Sequence, residues 1–295
     1  MKGGGARVYG TIFKQIRLDH HLTQREVAAG LVSGAALSRF ERGQADLPLG
    51  LLSQLLRRMG VTLPEYIAMT DQSASAQTQF AAQLDQRYRA RDAPALAALC
   101  QRALHDYHVT HEARDLVRAA FAASHYFDLT GQVLLKPGDV AALVDKLAAA
   151  THWYLPALQT VANVATILPP TRALAIAKLI VADLPAIHAL GRGSFEGAVD
   201  ALLSVHRALI IRELPLAAVS ENLLQALSLP PTMLTLRLRR RFLSLLFSYV
   251  QGDAQAVARL EQLLELLRRT DNAAVADELA IAFTHIHRRP GPKVT

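Results

Sequence analysis

The side chains able to do chemistry in this chain fall into three small groups. The first lies between residues 14 and 44: Lys14, Gln24, Arg25, Ser33, Ser38, Arg39, Arg42 and Gln44. A guanidinium such as that of Arg39 can donate two parallel hydrogen bonds to the O6 and N7 acceptors of guanine. Ser33 and Ser38 add polar reach beside it, and the other members suit phosphate oxygens. The second group is His105, Asp106, His108 and His111, whose three-residue spacing is compatible with a metal but reads better as a partly exposed helix end and loop. The third is the lone Cys100, which excludes an intrachain disulfide and a cysteine zinc cluster. It reads as a small buried residue. The run GRGSFEG at 191–197 has its glycines at the wrong spacing for a phosphate loop and no strand ahead of it. No GxSxG elbow, HExxH run or paired zinc motif occurs. We therefore expect no catalytic centre, no metal and no cofactor.

Composition narrows the classes further. The 295 residues are 51% hydrophobic and 19% charged, which describes a folded chain. Ala and Leu dominate while aromatics reach only 6%, the balance of helix packed on helix. The net charge of +7 favours an anionic partner without naming one. That charge is uneven. Residues 1–70 hold nine Lys+Arg against five Asp+Glu, while the other 225 hold 23 against 20. The stretch Trp153 to Leu168 is the most apolar, but Pro156, Gln159 and Asn163 interrupt it and it is too short to span a bilayer. The first ten residues carry no apolar secretory core, and a single cysteine fits a reducing compartment. A cytoplasmic protein without membrane contact is expected.

Five short helices are legible in the first seventy residues. Ile12, Phe13 and Ile16 form an apolar stripe at helical spacing. Thr23-Gln24-Arg25-Glu26 is a capping box, opening a short second helix that ends near Ala29. Ser33 caps a third, which runs to about Arg42 with Gly43 as its stop. Pro48 opens a fourth, ending near Gly60, and Thr62-Leu63-Pro64-Glu65 is a second capping box. The tight turn between the second and third helices has the form of a helix-turn-helix, whose second helix lies in the major groove of DNA. The small residues Gly34, Ala35 and Ala36 on that helix allow close approach and contact with thymine methyls but give no hydrogen bonds. Direct readout is thus expected to be modest, with DNA shape adding specificity. Leu37 and Phe40 fall on the buried side of the third helix.

The segment from Ile16 to Ile67 resembles the lambda-repressor/Cro-like DNA-binding domain. Within it, "GTIFKQIR" and "LSRFERG" resemble the start of the Rgg/GadR/MutR regulators of Gram-positive bacteria. The resemblance implies that Arg17 and Glu41 are a structural ion pair between the first and third helices.

Beyond residue 76 the sequence is a succession of helix signals about 17–22 residues apart, close to the tetratricopeptide period when paired. Prolines at 94, 137, 170, 215 and 230–231 stand ahead of apolar stripes, and Ser194 is read as a cap. Such an array buries faces between neighbouring pairs and leaves a concave groove. "HWYLPALQTVAN" resembles a segment of the same family through Trp153, Leu158 and Asn163, with Ala157 where the family has an acidic residue. "RRRFLSLLFSYVQGD" resembles its penultimate repeat.

The expected architecture is all-α: a five-helix helix-turn-helix domain at 1–70, a linker at 71–76 and a right-handed α-solenoid of TPR-like helix pairs at 77–295. The resemblance implies a homodimeric, non-enzymatic transcription regulator. Its partners would be double-stranded DNA, bound at a near-palindromic operator, and a short signalling peptide held in the concave face, as in quorum sensing. Asn163 is the candidate backbone clamp, Arg207, Arg237 and Arg241 are candidates to meet a carboxylate, and Tyr249 is a candidate groove wall. Trp153 is read as core. The alternative is a peptide-independent regulator whose array serves only dimerisation or contact with RNA polymerase.

Overall fold

The computed structural model describes residues 4–70 and 76–287. Among them the secondary structure is helical throughout, and the chain divides into two compact units, Met1–Ala82 and Gln83–Thr295. The expected linker at 71–76 lies outside the described residues except for Ala76, which opens a helix that the sequence reading did not place.

The first unit holds α1 (Gly4–Asp19), α2 (Gln24–Ala28), α3 (Gly34–Glu41), α4 (Leu49–Arg58) and α5 (Leu63–Thr70). Local chemistry sets these boundaries. Thr23 Oγ1 accepts from the Glu26 amide while the Glu26 carboxylate accepts from the Thr23 amide, so two orphan donors of α2 are satisfied. Thr62 and Glu65 repeat the arrangement ahead of α5. Ser33 Oγ accepts from the Ala36 amide to open α3. Gly43, at φ 67°, takes the left-handed conformation that ends it. The core is a single apolar cluster built around Phe13, Val27, Leu37, Phe40, Leu55, Leu56 and Tyr66. Phe13 and Phe40 meet edge to face with centroids 5.5 Å apart, and the Tyr66 hydroxyl donates to the Tyr9 carbonyl at 2.6 Å.

The second unit begins within α6 (Ala76–Arg89) and continues through α7 (Ala93–Thr110), α8 (Ala113–Thr130), α9 (Pro137–Ala148) and α10 (Leu155–Val164). A 3-10 turn at Ala165–Ile167 leads to α11 (Pro170–Ala189), α12 (Arg192–Arg212), α13 (Leu214–Gln225), α14 (Leu234–Val250), α15 (Gln255–Arg269) and α16 (Ala273–His287). Proline sits in the first turn of α7, α9, α10, α11 and α13, where its missing N–H costs nothing. Ser194 does not cap α12; the helix starts two residues earlier, after Gly191, which at φ 109° has the turn conformation.

The helices alternate between two layers. α8, α10, α12, α14 and α16 pack against one another in chain order, while α9, α11 and α13 pack in order behind them. α12 is the spine. It touches α10, α11, α13, α14 and α16, and is buried almost continuously from Ala198 to Ile211. A helix that is apolar nearly all round must lie inside. Trp153 is 1% exposed and its amide donates to the Asp183 carboxylate, so it is a core residue.

Candidate functional site

The first unit presents α3 on a rigid base. Arg17 donates to Glu41 through Nε and Nη2, at 2.7 and 2.9 Å, and through Nη1 to the Leu22 carbonyl. One guanidinium therefore fastens α1, the turn before α2 and the last turn of α3. The Gln24 amide nitrogen donates to the same Glu41 carboxylate at 2.7 Å, which leaves its second N–H and its oxygen for any further contact. Arg58 of α4 donates through Nη1 to the carbonyls of Val27 and Ala29, closing the end of α2. Gly10 of α1 lies so close to α3 that a Cβ there would stand 1.9 Å from the Phe40 carbonyl oxygen. Sequence reasoning missed both Arg58 and Gly10. An otherwise unexplained glycine inside a helix was the available signal for Gly10.

The candidate contact residues divide by what they already do. Lys14, Arg25 and Arg39 are exposed and carry no side-chain bond among the described residues. Arg42 Nε donates to Gln44 Oε1, which holds these two together at the end of α3. Ser33 spends an acceptor on its cap but keeps a hydroxyl donor. Ala35 is exposed, and Ala36 and Ser38 are half-buried. The free cations thus stand around a third helix whose own packing is already satisfied.

The second unit carries a cleft of about 720 Å³ lined by residues of the even-numbered helices α6 to α16. Asn163 and Arg207 lie on its wall. Asn163 Nδ2 donates to the Gln159 carbonyl one turn back, leaving its side-chain oxygen as an acceptor. Arg207 forms a two-pronged pair with Asp128 at 3.1 and 3.3 Å. Arg239, absent from the sequence-based candidates, pairs with Asp200 on the same wall. Arg89 pairs with Asp85, and Asp277 with Arg268. Arg91, in the turn between α6 and α7, lines the cleft with no ion pair among the described residues. The groove is therefore polar and nearly charge-balanced, with a free acceptor at Asn163 and a free cation at Arg91.

Arg237 and Arg241 are elsewhere. They line a separate cleft between α13 and α14, together with Arg240 and Glu221. Helical spacing explains the split: Arg239, Phe242 and Leu243 share one face, while Arg237, Arg240, Arg241 and Ser244 share another. Tyr249 is half-buried against Phe283, with ring centroids 5.7 Å apart, and does not line the groove.

His108 Nε2 meets Asp139 Oδ1 at 2.9 Å, and no three His, Cys, Asp or Glu side chains converge on a metal position among the described residues. Burial, with a smaller contribution from Asp139, pushes the Cys100 thiol up to about 12, so it is not a thiolate near neutrality. No described helix is long and apolar enough to cross a membrane.

Comparison with known proteins agrees with this anatomy. Residues 13–66 match the helix-turn-helix family. Along almost the whole chain the fold is similar to the SHP pheromone receptor Rgg2 of Streptococcus dysgalactiae, at TM-score 0.70 and 14% identity, covering 95% of this chain and 99% of that one. A protein from Listeria monocytogenes EGD-e is similar at TM-score 0.70 and 17% identity, covering 96% and 98%. A bacterial peptide pheromone/receptor complex gives TM-score 0.69 and 14% identity over 96% and 99%. Residues 13–66 are thus a helix-turn-helix domain, and nearly the whole chain shares the fold of these proteins.

Proposed function

We propose that the protein is a cytoplasmic, homodimeric transcription regulator that binds a near-palindromic DNA site through α3 and responds to a short peptide held in the cleft of its second unit. The observation that carries the DNA reading is the exposed, unpaired Arg39 guanidinium on a helix locked in place by the buried Arg17–Glu41 pair. In this reading Arg39 pairs with guanine, Ala35 and Ala36 approach thymine methyls, and Ser33 and Ser38 add hydroxyl contacts. Lys14, Arg25, Arg42 and Gln44 meet phosphates, with Gln24 contributing the second N–H of its side-chain amide. Two linked copies raise an affinity that one small domain with few base contacts cannot supply.

The peptide reading rests on the cleft. Its walls offer paired guanidinium and carboxylate groups, the free oxygen of Asn163 for a backbone amide, and Arg91 for a terminal carboxylate. Peptide binding shifts the regulator only by its differential affinity for two arrangements of the dimer.

The experiment is to retain sheared genomic DNA on the purified protein near physiological salt and to sequence what is held. One enriched near-palindromic site is expected, with short peptide-coding frames beside it to supply ligands for calorimetry. Uniform retention that vanishes with modest salt would overturn the DNA reading. Specific DNA binding with no heat and no thermal shift for such peptides would leave a peptide-independent regulator.

A further inference from the structure

The cleft between α13 and α14 differs from the groove in its charge balance. On the groove, Arg89, Arg207 and Arg239 each face an aspartate. In the α13–α14 cleft, of about 370 Å³, three guanidinium groups share the lining with one carboxylate, Glu221. That carboxylate is already held from within. Glu221 is 6% exposed, receives hydrogen bonds from Ser244 Oγ at 2.8 Å and Gln225 Nε2 at 3.0 Å, and meets His206 Nε2 at 2.8 Å. Arg240 is anchored by Nη1 to the Leu227 carbonyl just past the end of α13, which fixes its guanidinium at the cleft. Arg237 and Arg241 have no side-chain partner among the described residues. They stand one helical turn apart, where like charges repel each other.

We propose that this cleft is an anion site for a phosphate-bearing small molecule, distinct from the groove and independent of its reading. Arg237 and Arg241 clamp the phosphate oxygens from one helix face, and Arg240 supplies a fixed third cation. A single carboxylate would satisfy one guanidinium fork. A multiply charged tetrahedral group has oxygens enough for two forks one turn apart, and it removes their mutual repulsion. Chemically this is an effector input that reads a phosphorylated metabolite, and it abuts the His206–Glu221 network joining α12, α13 and α14.

The test is calorimetry of the full chain with inorganic pyrophosphate at constant ionic strength, supported by a thermal shift. One saturable site per chain and a raised melting temperature are expected. The double variant R237Q/R241Q should weaken binding by about tenfold or more, a loss of one or two charge-assisted contacts. R91Q and R39A should leave it unchanged. The single variants R237Q and R241Q carry the same test should the double variant fail to fold. No saturable heat, or undiminished binding in the arginine variants, overturns the proposal. If pyrophosphate gives no saturable heat while duplex DNA affinity falls in the double variant, the cleft is a DNA-backbone contact and the proposal also fails.

Discussion

Arg17 and Glu41 lie 24 residues apart in sequence and form a two-pronged ion pair whose side chains are 7% and 1% exposed. A buried pair of this kind does not guarantee stability, but removing one member leaves an uncompensated charge inside the protein. Arg17→Met should therefore destabilise the first unit by about 3–5 kcal/mol, measured by chemical denaturation. Replacing both residues, as Arg17→Met with Glu41→Leu, should recover most of that loss. A single variant as stable as the parent would show that the pair contributes nothing.

Gly10 permits α1 to touch the backbone of α3. The 1.9 Å approach of a Cβ to the Phe40 carbonyl meets backbone, which cannot swing away as a side chain would. Gly10→Ala should cost about 1–3 kcal/mol of stability, as overpacking does. It should also weaken DNA binding by displacing α3. Unchanged melting would contradict the close packing.

Arg39 and Arg25 should fail differently. Arg39→Ala should cost about 1–3 kcal/mol of DNA affinity and relax preference at one base position. Arg25→Ala should weaken binding nearly uniformly across sequences and lower the salt slope by about one. Equal effects of both variants on sequence preference would place α3 wrongly. The readout is a binding titration against a library of sites at several salt concentrations.

Asn163→Ala should lower affinity for a peptide ligand by about 1 kcal/mol, the net value of an ordinary hydrogen bond, and leave the melting temperature unchanged. The residue is exposed and, among the described residues, bonded only to its own helix, so its truncation opens no cavity. Calorimetry on variant and parent decides the matter. Undiminished peptide affinity would remove Asn163 from the site.

Glu221 gives the acid limb of stability a recognisable owner. Burial opposes its charge, but hydrogen bonds and the charge of His206, with further bonds from Ser244 and Gln225, outweigh it and hold the carboxyl below its ordinary 4.5. The stabilisation is complete above 4.5 and is lost as pH falls through the lower folded value, because the unfolded chain takes up the proton first. Glu221→Gln should make the fall in stability below that pH less steep in denaturation curves recorded at several pH values. An identical acid limb would assign the effect to other groups.

The starts of α2, α3 and α5 are legible in the letters, because caps are local chemistry. The Thr23–Glu26 and Thr62–Glu65 boxes, the Ser33 cap and the Gly43 stop each operate within four residues. Proline placement did the same for α7, α9, α11 and α13. Ser194 misled, because a serine near a helix start resembles a cap wherever Gly191 is not known to supply the turn. Which side chains share a wall is settled by packing between distant helices. Arg207 meets Asp128 across 79 residues, and no local pattern encodes that distance. The run Arg237 to Arg241 looks uniform as a string, yet rotation about the α14 axis sends Arg239 to the groove and Arg237 and Arg241 to the cleft beside α13. Helical periodicity was visible in the letters, but its phase was fixed only when α12, buried almost all round, set which face of α14 turned inward.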